Sequence, residues 1–463
     1  MLVADWLIEF PAWSEVSRIV SMRDYNTRVV VAGVAVLGAG SGLVGSFALL
    51  RKRALIGDAL AHAALPGIAS AFLIATALGG DAKSLGWLLL GACISGVLGV
   101  IAILWLRSQT RLSEDAAMGI VLSVFFGGGV ALLGIVQQMG SGAGLEGFIY
   151  GKTASMRAED VSLILIASLI ALCIGLLQFK QLKLLCFDEL FASSRGFNTT
   201  WLDGLLMAMI ILVTIVGLQA VGIILMIALL IIPAASARFW TESFVVMTAI
   251  SAMIGAIGGV VGAMLSGIFA GLPSGAMIVL VCSGLFFVSM LFGRSRGVVI
   301  RFVRRRNLNH KIEGQHLLRA AYEWIEDHTN TRELDGGPQR KPIPTCDLLP
   351  MRSWSLRTLS RAIDEASSEE LVRRTQEGNE IRLTGKGWVE ACRLTRQHRL
   401  WEMYLIEHAD IAPAKVDRDA DAIEHVLAPE VIERLEDLLD QQGLSINIPM
   451  NPHVKASLGG GVR

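Results

Sequence analysis

Asp58 and His62 lie four residues apart in an otherwise apolar run, Ile56-Gly57-Asp58-Ala59-Leu60-Ala61-His62-Ala63-Ala64-Leu65-Pro66-Gly67, and His62 is the only histidine before residue 300. That spacing puts a carboxylate and an imidazole on one face of a helix. An ionisable group in hydrocarbon is costly unless it is paired or faces a polar path, so the pair reads first as functional. One oxygen and one nitrogen donor make a ligand pair for a divalent transition metal. A helix-start aspartate beside a packing histidine is the alternative that these residues alone leave open.

Two more pairs with the same spacing stand near the C-terminus: His398 with Glu402, and Asp421 with His425, the latter flanked by Glu424. Carboxylates and imidazoles without thiolates favour manganese or ferrous iron over a structural zinc. Solvated, charged helix faces are the competing reading. The six cysteines show no CxxC pairing, so neither a disulfide framework nor a thiolate zinc site is indicated. No GxxxxGK[ST] motif occurs, which excludes ATP hydrolysis by that route.

The elements that must position these groups are mostly apolar. Hydrophobic residues make up 53% of the 463 positions, and the mean hydropathy of +0.55 is dominated by the chain before residue 293. This describes a polytopic membrane protein with a soluble tail. Apolar stretches near 28–50, 59–79, 85–106, 115–137, 161–179, 203–219, 221–237, 244–269 and 273–292 predict about 8–9 transmembrane helices. Basic residues gather in Arg51-Lys52-Arg53, Arg107 to Arg111, Lys180 to Arg195, Arg238 and the six arginines from Arg294 to Arg306. The positive-inside rule puts these loops and the tail in the cytoplasm, hence a chain of the inner (cytoplasmic) membrane. Arg18, Arg23 and Arg28 run against that assignment, and Trp6 and Trp13 predict an interfacial segment over 1–26.

Up to residue 306 the chain holds 21 basic and 15 acidic side chains, and beyond it 20 basic and 26 acidic. The 48 glycines include Gly38-Ala39-Gly40-Ser41-Gly42 and Gly127-Gly128-Gly129, whose expected role is close helix packing. Pro66 and Pro233 are expected to kink or break their helices. In the loop Phe187 to Asn198, Asp188 and Glu189 mark a helix start and Gly196 its end. An ordinary amphipathic connector is the plain reading of that loop.

In the tail, a basic linker (294–310) leads to an amphipathic helix over Gln315 to Asp327, with Leu317, Leu318, Ala321 and Ile325 on its apolar side. A loop follows to Pro344, then a helix over Ser355 to Ala366. A two-stranded wing, Leu371 to Leu383, turns at Glu377-Gly378-Asn379, and two helices follow near Lys386–Glu407 and Asp417–Gln441. The expected fold is therefore an all-α polytopic membrane domain followed by a soluble, mainly α, winged-helix-like and helical region. Arg357 and Arg361 are the candidate DNA contacts, although an acidic tail with prolines before that helix argues for sensing or dimerisation over repression.

GDALAHAALPG resembles the signature of the metal-transporting permeases of ATP-binding cassette (ABC) importers, the ABC-3 group. Similar stretches are Ser113-Glu114-Asp115-Ala116-Ala117-Met118-Gly119-Ile120, Val221-Gly222-Ile223-Ile224-Leu225 with Pro233-Ala234-Ala235-Ser236-Ala237-Arg238, and Gly271-Leu272-Pro273-Ser274-Gly275. The resemblance implies a permease domain over 27–293 that carries manganese, zinc or iron. It also implies a homodimer, an extracytoplasmic metal-binding protein, and a separate ATPase engaging the segment of Asp188, Glu189 and Gly196. Such a chain is a transport subunit and not an enzyme, with no nucleotide bound by it. Asp58 and His62 would contact the desolvating cation, His62 through a neutral nitrogen, with protons competing at low pH.

Leu383-Thr384-Gly385-Lys386-Gly387, His398-Arg399-Leu400-Trp401-Glu402 and Ala420-Asp421-Ala422-Ile423-Glu424-His425-Val426-Leu427 resemble the iron-dependent repressors of DtxR/MntR type. That resemblance implies a degenerate winged-helix-like region (311–385), a metal-binding and dimerising region (386–453) and a flexible end (454–463). By it, Asp421, Glu424 and His425 match primary ligands for a regulatory divalent metal, His398 and Glu402 an adjoining site, and His316 a further ligand. Two rivals remain: a membrane-tethered metal-dependent transcription regulator, and a proton- or sodium-driven carrier. The first would need neither Asp58 and His62 nor a docking loop. The second would need no ATPase.

Overall fold

The computed structural model describes residues 13–53, 56–80, 84–138, 151, 153–269, 272–328, 341–352, 354–375 and 379–408. The chain divides into two compact units, 1–301 and 302–463. In the first unit α1 (Trp13–Val20), α2 (Tyr25–Leu50), α3 (Ile56–Ala77), α4 (Leu85–Gln109), α5 (Glu114–Gln138) and α6 (Ala158–Leu177) are followed by two short helices, α7 (Phe179–Phe187) and α8 (Glu189–Ser194). Then come α9 (Thr199–Val221), α10 (Ile223–Ala237), α11 (Phe244–Ile268) and α12 (Ser274–Phe292). Among the described residues eight helices are long and apolar enough to cross a bilayer: α2 to α6, α9, α11 and α12. The apolar α10 has only 15 residues. These nine helices match the nine apolar stretches of the sequence.

Lipid is as apolar as leucine, so close packing and hydrogen bonds must hold such helices together. α2 and α11 meet antiparallel along small residues. A Cβ on Gly38 would lie 2.2 Å from the Gly255 carbonyl oxygen, and one on Gly255 would lie 2.1 Å from the Gly38 oxygen. One turn on, Ser251 Oγ donates to the Gly42 oxygen at 2.6 Å, and then Ser46 Oγ meets Thr248 Oγ1 at 3.1 Å. α3 is seated on α4 in the same way, through Gly67 against Gly91, with Ser95 Oγ donating to the Ala63 oxygen at 2.6 Å and Trp87 Nε1 to the Ala71 oxygen at 2.9 Å. Of the run Gly127-Gly128-Gly129, only Gly129 makes a close approach, against Leu65 and Pro66; 127 and 128 face open space.

α10 doubles back on α9 at Gly222, whose φ of 81° suits glycine. Gly217 of α9 therefore faces Met226 of α10, and further along α10 Leu230 reaches the backbone of Gly45 in α2. Neither Pro66 nor Pro233 breaks its helix, contrary to one of the two expected outcomes: α3 and α10 run through them. Pro233 is buried among its neighbours and the half-exposed Pro66 packs on one side against Gly129 of α5, contacts that hold each helix in line where its own hydrogen bond is missing.

Between α10 and α11, Glu242 receives a forked pair of bonds from Arg296, which lies beyond α12, Nε to Oε1 at 2.9 Å and Nη2 to Oε2 at 2.8 Å, with Ser295 Oγ at 2.6 Å. These bonds, Arg296 first, hold the Glu242 carboxyl down at about 2, from an ordinary 4.5. A lowered folded-state value stabilises above the unfolded pKa, and that contribution disappears as pH falls through the folded one. The α10–α11 connection of wild type should therefore loosen between pH 4.5 and about 2, and Glu242→Gln should remove that dependence by being loosened already at pH 7. Trp240, whose Nε1 donates to Ser289 Oγ, provides a fluorescence readout in detergent across this range.

The second unit is entered through α13 (Val298–His328), which starts well before the expected Gln315. β1 (Ile343–Pro344), α14 (Thr345–Leu348), α15 (Leu356–Ser368), β2 (Val372–Arg374), β3 (Glu380–Leu383) and α16 (Gly385–His408) follow. The sheet has the order β1-β3-β2, all antiparallel, with Ile343 opposite Ile381 and Val372 opposite Leu383. Leu317, Leu318, Ala321 and Ile325 of α13 are buried, as their spacing predicted, against Ile343, Leu359, Ile363, Val372 and Ile381. Ser355 caps α15 through Oγ to the Thr358 amide. β1 replaces the end of the expected loop; as an edge strand it tolerates Pro344, which needs no ladder donor there. The expected helix Asp417–Gln441 and the turn at Glu377-Gly378 lie outside the described residues.

Candidate functional site

α3 starts where Ile56 N donates to the Arg53 carbonyl at 3.1 Å, which puts Asp58 in its first turn. From Ile56 to Phe72 every residue of α3 is buried except Asp58, His62, Pro66 and Ser70. These four share one face at a spacing of four, so the helix presents a single half-exposed stripe. On it His62 Nε2 lies 3.2 Å from Asp58 Oδ1, with the side chains 20% and 29% exposed. The Phe126 ring of α5 packs edge-on against the imidazole, centroids 4.8 Å apart. His62 Nδ1 is buried and makes no hydrogen bond among the described residues.

This geometry has a chemical consequence. In a neutral ring protonated at Nε2, that N–H donates to the carboxylate and Nδ1 keeps its lone pair, the form in which histidine ligates metals. Pro66, one turn on, has no N–H for the His62 carbonyl, so that oxygen loses its usual helical partner. Beyond Pro66 the stripe runs into a groove of about 540 Å³ between α3, α4 and α5, walled by Ile74, Trp87, Leu90, Phe125 and Leu132. The Ser95 and Trp87 donors there are already used. The groove is apolar and adds no evident cation ligand, so the chemistry of this face is concentrated at Asp58 and His62.

A second cluster lies just before α3. Asp188 caps α8, its Oδ1 accepting from the Phe191 amide at 2.9 Å, and Gly196, with φ 84°, ends that segment. Both follow the sequence reading. Glu189 in the first turn of α8 receives Arg51 Nη2 at 2.7 Å, and Arg51 Nε lies 3.4 Å from Asp203 Oδ1 on α9. The same oxygen receives Arg53 Nη1 at 2.5 Å. Burial works against the Arg51 charge, but the bond to Glu189 and the charge of Asp203 raise its pKa above the ordinary guanidinium value. Burial pushes the nearby Cys186 thiol up to about 12, so it stays protonated and is no thiolate ligand. α8 leaves Leu190 84% exposed, with Phe187 and Phe191 also exposed beside it.

Sequence reasoning used Arg51 and Arg53 only as topology markers and passed over Asp203. An acidic residue in the first turns of an apolar helix, Thr199-Thr200-Trp201-Leu202-Asp203, was the available signal.

In the second unit His398 is buried, and its Nδ1 lies 2.6 Å from Arg319 Nη1. Arg319 Nε is 3.3 Å from Glu323, Arg352 also binds Glu323, and Arg399 binds Glu326. These contacts fasten α13 to α16 and to the segment before α15. At that nitrogen His398 does not fit a divalent metal, because a guanidinium holds it and repels a second cation. His316 is half-buried on α13. Glu402 lies on α16, four residues from His398. Among the described residues no three His, Cys, Asp or Glu side chains come together as a metal site. Asp421, Glu424 and His425 lie outside the described residues. Arg357 and Arg361 are exposed on α15, beside a wing whose Arg374 is engaged by Asp364 at 3.0 Å.

A bundle of apolar helices, one of which carries an Asp–His pair on a half-exposed stripe, fits a multi-pass membrane permease, and the chain belongs to the ABC 3 transport family, which residues 22–293 match. Residues 384–446 match the iron dependent repressor, metal binding and dimerisation domain. The manganese transport system membrane protein MntC of Bacillus subtilis (strain 168) is 36% identical over 420 residues, 90% of this chain and 92% of that one. The zinc transport system membrane protein TroC of Treponema pallidum (strain Nichols) is 43% identical over 288 residues, 62% of this chain and 95% of that one. PsaBC from Streptococcus pneumoniae, solved in complex with Fab, contains a chain with TM-score 0.54 and 28% identity, covering 63% of this chain and 99% of that one.

Proposed function

We propose that this chain is the membrane-spanning subunit of an ABC importer for a divalent transition-metal ion, manganese or zinc before iron. The observation that carries this reading is the Asp58–His62 pair on the half-exposed stripe of α3, in a family whose relatives above are named for manganese and zinc transport. The substrate cation would take Asp58 Oδ and a ring nitrogen of His62, one carboxylate and one neutral imidazole. The imidazole beside the carboxylate suits a transition-metal ion better than calcium or magnesium, which prefer all-oxygen sites.

In this reading residues 27–293 form the permease, two copies enclose the path, and an extracytoplasmic protein delivers the metal. A separate ATPase docks on the exposed apolar residues of α8, which supplies the work that a chain without a Walker motif cannot. The basic loops and the tail face the cytoplasm. Growth of a metal-starved host that lacks its own manganese and zinc importers tests this. Rescue by the chain with an ABC ATPase, and not by either alone, supports the reading; rescue without any ATPase favours an ion-driven carrier.

The tail, with a linker at 294–310, a winged segment at 311–385 and a helical part at 386–453, would act as a cytoplasmic metal-responsive regulator. Its ligand set would be Asp421, Glu424 and His425, since His398 is held by Arg319. Metal bound there would supply a charge that draws these side chains together. Full-length Glu424→Ala in detergent should bind at least about tenfold more weakly than wild type in Mn(II) calorimetry, over and above the contribution of Asp58 and His62. Equal isotherms would remove the regulatory site. DNA contact through Arg357 and Arg361 is the secondary reading, disfavoured by the acidic tail.

A further inference from the structure

We infer that Arg51, Arg53 and Asp203 form a relay that carries movement of the docking helix α8 to the metal-bearing helix α3. The inference rests on the importer reading above and deepens it. The links are short and continuous: Glu189 of α8 to Arg51 at 2.7 Å, Arg51 to Asp203 of α9 at 3.4 Å, and Asp203 to Arg53 at 2.5 Å. The Arg53 carbonyl then receives the first amide of α3 at 3.1 Å. Asp58 follows two residues after that amide.

Burial deepens along the path, from Glu189 at 44% through Arg51 at 13% and Asp203 at 14% to Arg53 at 1%. The surface end can therefore meet a partner while the inner end is clamped. Two cations face two anions, so the cluster is balanced without an outside ion. A buried ion-pair cluster is a weak source of stability, because desolvation offsets most of its attraction. Its better use is to fix geometry. Arg51 ends α2 and Arg53 precedes α3, so a shift of Glu189 pulls on the turn joining these two helices.

Spatial continuity alone does not demonstrate coupling; the demonstration is a measured separation of ATP use from transport. The full chain, reconstituted with its ATPase in proteoliposomes and supplied with its extracytoplasmic metal-binding protein, is assayed for ATP hydrolysed and Mn(II) or Zn(II) taken up. Arg51→Gln and Asp203→Asn should still co-purify with the ATPase and hydrolyse ATP within about twofold of wild type, with metal uptake at least tenfold lower. Arg51→Lys keeps a cation between Glu189 and Asp203 and should recover at least a third of wild-type uptake, a result that loss of folding cannot imitate. Unchanged uptake in Arg51→Gln and Asp203→Asn, a proportional fall of hydrolysis and uptake, or no recovery in Arg51→Lys overturns the relay. Wild-type liposomes that hydrolyse ATP without taking up metal overturn the importer reading itself, and the relay with it.

Discussion

Gly38→Leu is expected to abolish the folded permease. A Cβ at this position would already sit 2.2 Å from a backbone oxygen of α11, and neither partner can yield by a side-chain rotation, because both contacts are backbone. Overpacking a filled interior costs about 1–3 kcal/mol, sometimes more, and a clash with backbone belongs at the upper end. Leucine must also separate two helices that are joined by the Ser251–Gly42 and Ser46–Thr248 hydrogen bonds. Little full-length protein should remain in the membrane, and the midpoint of thermal aggregation in detergent should fall by 10 °C or roughly so, from the usual few degrees per kcal/mol. Gly284→Leu is the control, since a side chain there meets nothing within 4 Å. Equal losses in both variants would mean that the α2–α11 register is not the organising contact.

Asp58→Ala and His62→Ala are expected to leave the protein in the membrane and to reduce metal uptake by about 10- to 100-fold each, the range for losing a metal-site partner. Both side chains sit on the half-exposed stripe of α3, so their removal opens no large cavity. The two losses should not add, because each variant destroys one shared site. His62→Gln offers a useful contrast: an amide of similar reach can still bond Asp58 but lacks the imidazole nitrogen. If His62→Gln transports normally, His62 acts by packing or hydrogen bonding and not as a ligand.

The membrane half was legible because hydrophobicity acts locally. Apolar stretches at 203–219 and 244–269 became α9 and α11, Thr199–Val221 and Phe244–Ile268, with shifts of only a few residues. Asp58 and His62 were legible because a charged pair at helical spacing has few other reasons to stand in hydrocarbon. The ends of α8 were legible from Asp188 and Gly196, whose cap and positive φ are local demands.

What was hidden depends on partners distant in sequence. Arg51 meets Glu189 at a separation of 138 residues, and Arg319 meets His398 at 79. No spacing rule reports such pairs, so Arg51 read only as a topology marker and His398 as a candidate ligand. Gly38 and Gly255 were visible as small residues, but their register is a property of the packed bundle. β1, two residues long, is too short to show a period.

The most direct test is the manganese, zinc and iron content, by mass spectrometry, of cells expressing the chain with its ATPase, compared with cells carrying His62→Ala at equal membrane abundance. The account predicts that one metal, manganese or zinc, rises in wild type and falls back to background with His62→Ala. Identical contents in the two strains, or a rise that persists without the ATPase, would contradict it.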